Sequence, residues 1–278
     1  MVRSVVENAK IRKKTLKNKE KEKTMAKRNR FINYFSLGEL ILLLGSWGGI
    51  VATFYLFRSG DYLSLFASLV GVTALVFNAK GNPIGQALII LFSLLYGFIS
   101  YTCRYYGEMI TYLAMTAPMA VAALVSWLKN QSEGKKGEVK INSIAVKEYL
   151  FAACLSLAVS VAFYFLLRFL NTANLLWSTI SVFTSFYAAY LTFRRVPLFA
   201  LAYAANDLVL IVLWIKATLT DRGYLSVLVC FFVFLINDIY GYINWKKLAA
   251  AQRKKEAKLS EKNFCFFYIK SKIVGYFI

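Results

Sequence analysis

The sequence predicts an all-α polytopic membrane protein. About eight transmembrane helices are expected, each of about 20 residues. Two three-helix repeats of like orientation are joined by a linker helix, a parallel 3+1+3 layout, with one further helix in front. Three observations carry this. The chain has 278 residues, of which 59% are hydrophobic and only 17% charged, with a mean hydropathy of +0.53. Soluble domains are about half apolar and about a quarter charged, so the excess apolar mass calls for lipid. Apolar windows of spanning length recur along the chain, and the landmarks inside them recur as well.

In order, residues 1–37 read as a basic cytoplasmic tail, 38–57 as the extra first span, and 61–128 as the first repeat, with spans at 61–79, 84–103 and 106–128. A cytoplasmic linker (129–147) leads to the linker helix (148–170). The second repeat covers 174–247, with spans at 174–193, 197–217 and 224–245, and 248–278 is a basic, aromatic cytoplasmic tail. Pro83 and Pro197 each open a helix, where a missing N–H costs nothing. Glu39 and Glu108 stand near helix starts, where the helix dipole stabilises a carboxylate. "MAKRNRFINYF" from Met25 would serve as a natural start, leaving residues 1–24 as a leader or an artefact. The closing "NFCFFYIKSKIVGYFI" reads as an interfacial anchor or a frameshift product. No small-residue cleavage site follows the first apolar stretch, so no signal peptide is expected.

Charge sets the direction. Of the 34 Lys and Arg residues, 29 fall in segments on one side, including 12 in residues 1–30 and nine beyond residue 245. Five fall on the other side: Arg58, Arg104, Arg168, Lys216 and Arg222. By the positive-inside rule both termini are cytoplasmic and the number of spans is even. The net charge of +20 therefore reads as topology and contact with anionic lipid, and no nucleic-acid partner is expected.

The repeat is visible in "FNAKGNPIG" through "SWLKN" and in "TFRRVPLFA" through "NWKKL". Pro83 and Pro197 are 114 residues apart, and Trp127 and Trp245 are 118 apart. Each repeat holds an odd number of spans, so the helix at 148–170 is needed to give both the same orientation. Parallel repeats of this kind build transporters with the site between the halves.

Polar residues inside the spans mark that site. "YAANDLVLIVLW" and "INDIYGYINWKKL" each bury an Asn-Asp pair. An Asp at bilayer depth costs about 3 kcal/mol, so such residues face a bundle interior or a wet cavity. Helical spacing places Tyr203, Asn206, Asp207 and Trp214 on one face. Asn237, Tyr240 and Asn244 form a second stripe with Asp238 and Trp245 at its edge. Gln86, Ser93, Gly97 and Ser100 form a third with Tyr96 beside it, and Trp177, Ser181, Ser185 and Tyr187 lie on the helix at 174–193. Aromatic faces, amides and a carboxylate suit a flat ring bearing hydroxyls, and a cationic ring most of all. A second reading stands for several of these. Asn237 and Asn244 also fit as helix–helix glue, Asp238 as a partner for a neighbouring helix, and Trp127 and Trp245 as interfacial belt residues.

Enzyme chemistry finds little purchase. The chain has no histidine, its four cysteines show no CxxC spacing, and its carboxylates are dispersed. No catalytic residue, metal site or cofactor is expected.

The motifs "YAANDLVLIVLW", "INDIYGYINWKKL" and "YYGEM", together with the 3+1+3 repeat behind an extra first span, resemble the PnuC family of nicotinamide riboside (vitamin B3) transporters over roughly residues 35–250. The resemblance implies a fold similar to the SWEET sugar carriers, a homotrimer in the bacterial plasma membrane, and facilitative uptake of the riboside. A cytoplasmic nucleoside kinase would trap the cargo by phosphorylation. It implies substrate contacts at Asn206, Asp207, Trp214, Asn237, Tyr240 and Asn244, beside Gln86, Tyr96 and Trp177 from the stripes. Relatives that carry thiamine or deoxynucleosides share the pattern, and a structural or receptor protein is the reading from a different class.

Overall fold

The computed structural model describes residues 34–56, 62–102, 106–132, 137–172, 174–220 and 225–275. The basic run 1–33 and Arg58, Arg104 and Arg222, which bear on orientation, lie outside these residues, as do the side chains of the C-terminal stretch from 260. Eight helices are described: α1 (Leu37–Leu56), α2 (Tyr62–Ala79), α3 (Pro83–Thr102), α4 (Tyr106–Lys129), α5 (Val146–Phe169), α6 (Leu175–Phe193), α7 (Leu198–Thr220) and α8 (Leu225–Gly275). The protein is an all-helical multi-pass membrane protein. Seven of the helices are long and apolar enough to cross a bilayer. The exception is α6, whose Ser178, Thr179, Ser181, Thr184 and Ser185 dilute its apolar character. Helix α8 continues beyond the expected span end at 245 as one helix to Gly275. The segment after Trp245 is rich in Ala, Lys, Glu and Gln and contains no proline, so nothing stops the helix.

The chain divides into two units, Met1–Leu44 and Gly45–Ile278. In the first, α1 opens with a reciprocal cap. The Ser36 N–H donates to Glu39 Oε2 at 2.7 Å, and the Glu39 N–H donates to Ser36 Oγ at 3.3 Å. The second unit holds the remainder of α1 and helices α2–α8.

In the second unit the helices close a ring. Helix α2 packs on α3, α3 on α4, α4 on α6, α6 on α7, α7 on α8, and α8 back on α2. Helix α5 packs chiefly against α6. Each repeat supplies three consecutive members of the ring, so the halves meet at two seams, α4–α6 and α8–α2. In both, the third helix of one repeat lies against the first helix of the other.

The repeat extends to the backbone hydrogen bonds. After α2, Gly81 N–H donates to Asn78 O, Asn82 N–H to Phe77 O, and Gly85 N–H to Asn82 O. After α6, at the same 114-residue offset as the two prolines, Arg195 N–H donates to Thr192 O, Val196 N–H to Leu191 O, and Phe199 N–H to Val196 O. Both helices end in a residue of left-handed conformation, Gly81 at φ 64° and Arg195 at φ 59°. Proline then starts or immediately precedes the next helix. At α3 the Asn82 side chain caps Ile84 N–H at 2.9 Å.

These helix ends leave carbonyls available, and the two seams use them alike. Trp127 Nε1–H of α4 donates to Thr192 O of α6 at 2.9 Å, and Ser126 Oγ–H donates to Phe193 O at 2.8 Å. Trp245 Nε1–H of α8 donates to Asn78 O of α2 at 2.7 Å, and Asn244 Nδ2–H donates to Ala79 O at 2.7 Å. The two indoles lie against each other with centroids 5.3 Å apart, and Phe199 packs on both. C-terminal ends from both repeats thus meet at one place, which gives the repeats the same orientation, as the odd span count requires. The belt reading of Trp127 and Trp245 is corrected here. Both side chains are 0% exposed, and each indole N–H serves as a buried crosslink between helices.

The linker seals this end. Val139 N–H donates to Gly81 O and Asn142 N–H to Arg195 O, so one extended segment ties both left-handed turns. Gln252 on α8 holds the same segment, accepting from Ile141 N–H at 2.9 Å and donating to Val139 O at 2.9 Å.

Thr192 O and Asn78 O keep the turn bonds from Arg195 and Gly81 N–H, so losing the indole removes one of two hydrogen bonds, worth about 0.5–1.5 kcal/mol. Trp127→Phe and Trp245→Phe keep most of the packing and remove the donor. Each is expected to lower the thermal midpoint of the detergent-purified protein by a comparable amount. A loss from only one of the two would contradict the equivalence of the seams.

Candidate functional site

Inside the ring lies a cavity of about 160 Å³, counted as space open to the centre of a water molecule. All six ring helices line it. Its walls differ by repeat, and the difference follows from which side chains the equivalent helices present.

The first repeat supplies aromatic rings, the amides of Asn78 and Gln86, and the Glu108 carboxyl group. On α3, Gln86, Phe92 and Tyr96 face inward at spacings of six and four residues, and the adjoining part of α4 adds Tyr112. The Tyr96 and Tyr112 rings lie 4.6 Å apart, and Phe92 sits within 5.9 Å of both. Phe92 also meets Phe234 of α8 at 6.2 Å, so the aromatic wall continues across a seam towards Phe231 and Trp214. Helix α4 loosens into a π-helical stretch over Thr111–Thr116, and Thr111, Tyr112, Met115 and Thr116 of that stretch line the cavity. Such widened turns are frequent at functional sites. Gln86 Nε2–H donates to Asn78 Oδ1 at 2.9 Å, joining α3 to α2.

The second repeat supplies hydroxyls, one amide, two carboxyl groups and the rings of Phe199, Tyr203, Trp214, Phe231 and Phe234. Serines on α6 sit in an apolar helix by bonding their own preceding turn; Ser185 Oγ–H, for example, donates to Ser181 O at 2.7 Å. Asn206 Oδ1 receives Ser181 Oγ–H at 3.1 Å and Thr184 Oγ1–H at 2.7 Å. Asp207 of α7 and Asp238 of α8 both face the cavity and interact side chain to side chain. They are 4% and 6% exposed, and Asp207 Oδ2 has no hydrogen-bond partner. Glu108 of α4, bonded to Tyr96, is a third carboxyl group in the wall. Among the described lining residues there is no Lys or Arg. Among the described residues no group of three or more His, Cys, Asp or Glu is placed to hold a metal.

Of the side chains singled out from sequence, the structure brings Gln86, Tyr96, Asn206, Asp207 and Trp214 together on the cavity wall. Asn237, Tyr240, Asn244 and Trp177 stand away from it. Asn237 Nδ2–H donates to Ser46 Oγ at 3.1 Å and to Val233 O at 2.8 Å. Asn244 holds the α8–α2 seam, Tyr240 is half-buried on α8, and Trp177 lies beneath Lys216 Nζ at 5.5 Å. The cavity adds residues that sequence alone did not assign to a site. Asp238 lay at the edge of its stripe, and Glu108 was explained by its helix start. Phe92 and Tyr112 carried no polar signal against an apolar background.

Comparison with known proteins places this geometry. The family model for nicotinamide mononucleotide transporters matches residues 61–247. A nicotinamide riboside transporter PnuC from Neisseria mucosa is 27% identical over 204 residues, covering 72% of this chain and 78% of that protein. One from Haemophilus influenzae is 22% identical over 195 residues, covering 70% and 83%. The crystal structure of a vitamin B3 transporter PnuC superposes with a TM-score of 0.68 at 26% identity, covering 78% of this chain and 94% of the other.

A glycine keeps the amide bond of the first repeat in place. A Cβ on Gly85 would collide with Asn78 Oδ1 and come within 2.6 Å of the Asn78 backbone nitrogen. Backbone cannot give way cheaply, and overpacking of this kind costs about 1–3 kcal/mol. Gly85→Ala is therefore expected to lower the thermal midpoint, whereas Gly48→Ala, with nothing within 4 Å of the added carbon, leaves it unchanged. Equal midpoints for the two variants would show that α2 and α3 do not approach this closely.

Proposed function

The chain belongs to the nicotinamide mononucleotide transporter family, and from that premise we infer that its cargo is the riboside and not the phosphorylated mononucleotide. The observation that carries this is the charge of the cavity: three carboxyl groups, Glu108, Asp207 and Asp238, and no Lys or Arg among its described lining residues. A phosphate monoester carries about −1.5 to −2 at neutral pH and needs cationic or N–H partners when it leaves water. This cavity offers its phosphate none of the former and three carboxyl groups instead. A riboside of nicotinamide carries a single positive charge on its ring. Carboxyl oxygens and the faces of Tyr96, Tyr112 and Trp214 suit such a ring, a cation over an aromatic face being worth about 0.5–2 kcal/mol.

Transport is facilitative in this reading. The cavity lies between two halves that meet along two seams, and a small rocking of one half on the other exposes it to one side at a time. The lysine and arginine asymmetry supports both termini in the cytoplasm, and a bacterial plasma membrane rests on the sequence resemblance. Phosphorylation by a cytoplasmic nucleoside kinase then adds the charge that the cavity does not accept, so the cargo cannot return. A homotrimer and kinase coupling rest on the sequence resemblance.

Uptake of labelled nicotinamide riboside into proteoliposomes tests the reading. Uptake is expected to be competed by unlabelled riboside and unaffected by an equal excess of the mononucleotide. Asn206→Leu and Trp214→Ala are each expected to weaken uptake about tenfold, the equivalent of one lost polar or stacking contact, without reducing membrane insertion. Thiamine and deoxynucleosides in the same panel separate the riboside from other cargo. Competition by the mononucleotide, or full transport by both variants, would contradict the assignment.

A further inference from the structure

A primary amide on a cavity wall has a direction, because one end donates and the other accepts. Two hydroxyls from α6 meet Asn206 at one atom: Ser181 Oγ lies 3.1 Å from Oδ1 and Thr184 Oγ1 lies 2.7 Å from it. A hydroxyl can donate or accept, so the direction has to be argued from what else each one reaches. Thr184 Oγ1 also lies 3.1 Å from Ile180 O and 3.1 Å from Ser181 O, so its proton has three acceptors to choose from. Among the described residues, the Ser181 hydroxyl has no acceptor other than Asn206 Oδ1. If the amide were turned over, the Ser181 proton would face an NH₂ group. Ser181 is half-buried and itself lines the cavity, so turning the amide over would leave that proton to the cavity, whereas an Oδ1 facing α6 satisfies both hydroxyls within the protein. The amide oxygen is therefore held against α6, and the NH₂ group is left for the cavity, which Asn206 lines while only 7% exposed.

We propose that Ser181 and Thr184 are positioning residues that fix Asn206 as a hydrogen-bond donor, so that the cavity selects cargo presenting an acceptor oxygen at that point. The inference rests on the riboside reading, whose carboxamide and hydroxyl oxygens are acceptors of this kind. It also explains why α6 is the least apolar helix of the ring. Its hydroxyls are spent on aiming a neighbour, and Ser185, one turn further along, is already committed to Ser181 O. Thr184 does not line the cavity and acts through Asn206, whereas Ser181 also faces the cavity.

A binding cycle on detergent-purified protein tests this, with nicotinamide riboside as the titrant. The combined variant Ser181→Ala/Thr184→Val is expected to weaken binding about tenfold, with a thermal midpoint close to wild type. In an Asn206→Ala background the same two changes are expected to cost nothing further, because there is no amide left to aim. Thr184→Ser, which keeps the hydroxyl, is expected to retain wild-type affinity. If wild-type protein binds the riboside but the losses simply add, or Thr184→Ser fails like Thr184→Val, the positioning role is overturned while the riboside reading stands. If wild-type protein does not bind the riboside at all, the functional reading falls and takes this inference with it.

Discussion

Two indole N–H groups, each donating to a carbonyl at the end of a helix from the opposite repeat, hold this fold together. A ring of six helices encloses a cavity only if it closes. The two closures are made differently from the contacts within each repeat, because they join helices far apart in the chain. Trp127 and Trp245 make both closures by the same device. The device depends on a local break. Helices α2 and α6 end in a left-handed turn before proline, where the Asn78 and Thr192 carbonyls, each bonded once within its turn, accept a second donor from the opposite repeat. The prolines, the left-handed turns, the tryptophans and the shared orientation of the repeats are thus parts of one constraint. The extended linker, bonded to both turns, adds a strap across the same end.

Closure lets the cavity differ from its surroundings. The ring presents apolar side chains outward, and its polar side chains face the axis or a partner on a neighbouring helix. The twice-buried Asn-Asp pair follows from helical geometry. Adjacent residues on a helix point about 100° apart, so a pair cannot direct both members to one place unless the cavity is broad. At α7 both Asn206 and Asp207 reach the wall. At α8 only Asp238 does, and Asn237 turns to Ser46 of α1. The same dipeptide serves the cavity once in full and once in half.

Much of this was legible in the sequence, for physical reasons that differ by feature. The spans could be read because lipid sets both their length and their composition, and the two prolines marked helix starts because only there is a missing N–H harmless. The orientation of the repeats followed from counting spans. What could not be read was which face of each helix turns inward. In water a helix shows one apolar face. In a bilayer its lipid face and its packing face are both apolar, and the period that locates a core fades. Asn206 and Asp207 stood out because an amide or carboxyl group at mid-span needs a cavity or a partner helix, and Trp214 followed from their stripe. Phe92 and Tyr112 were indistinguishable from lipid-facing aromatics. Trp127 and Trp245 read as belt residues because each stands beside lysines or near a span end, and an indole there looks the same whether it faces headgroups or a carbonyl. Glu108 was hidden by an adequate local explanation at its helix start. Thr184 gave no sign, since its part is played through Asn206.

In a working carrier the axis of the closed six-helix ring is a wet, ligand-sized space while the ring's outer face meets lipid. Cysteine accessibility in a cysteine-free background tests it most directly. Ser185→Cys on the inner wall of α6 is expected to react with a small, water-soluble cationic thiol reagent and to be protected by nicotinamide riboside. Leu208→Cys, on α7 and 55% exposed on the outside of the ring, is expected to stay unreactive. A reactive Leu208→Cys beside an inert Ser185→Cys would place water and lipid the other way round and contradict the account.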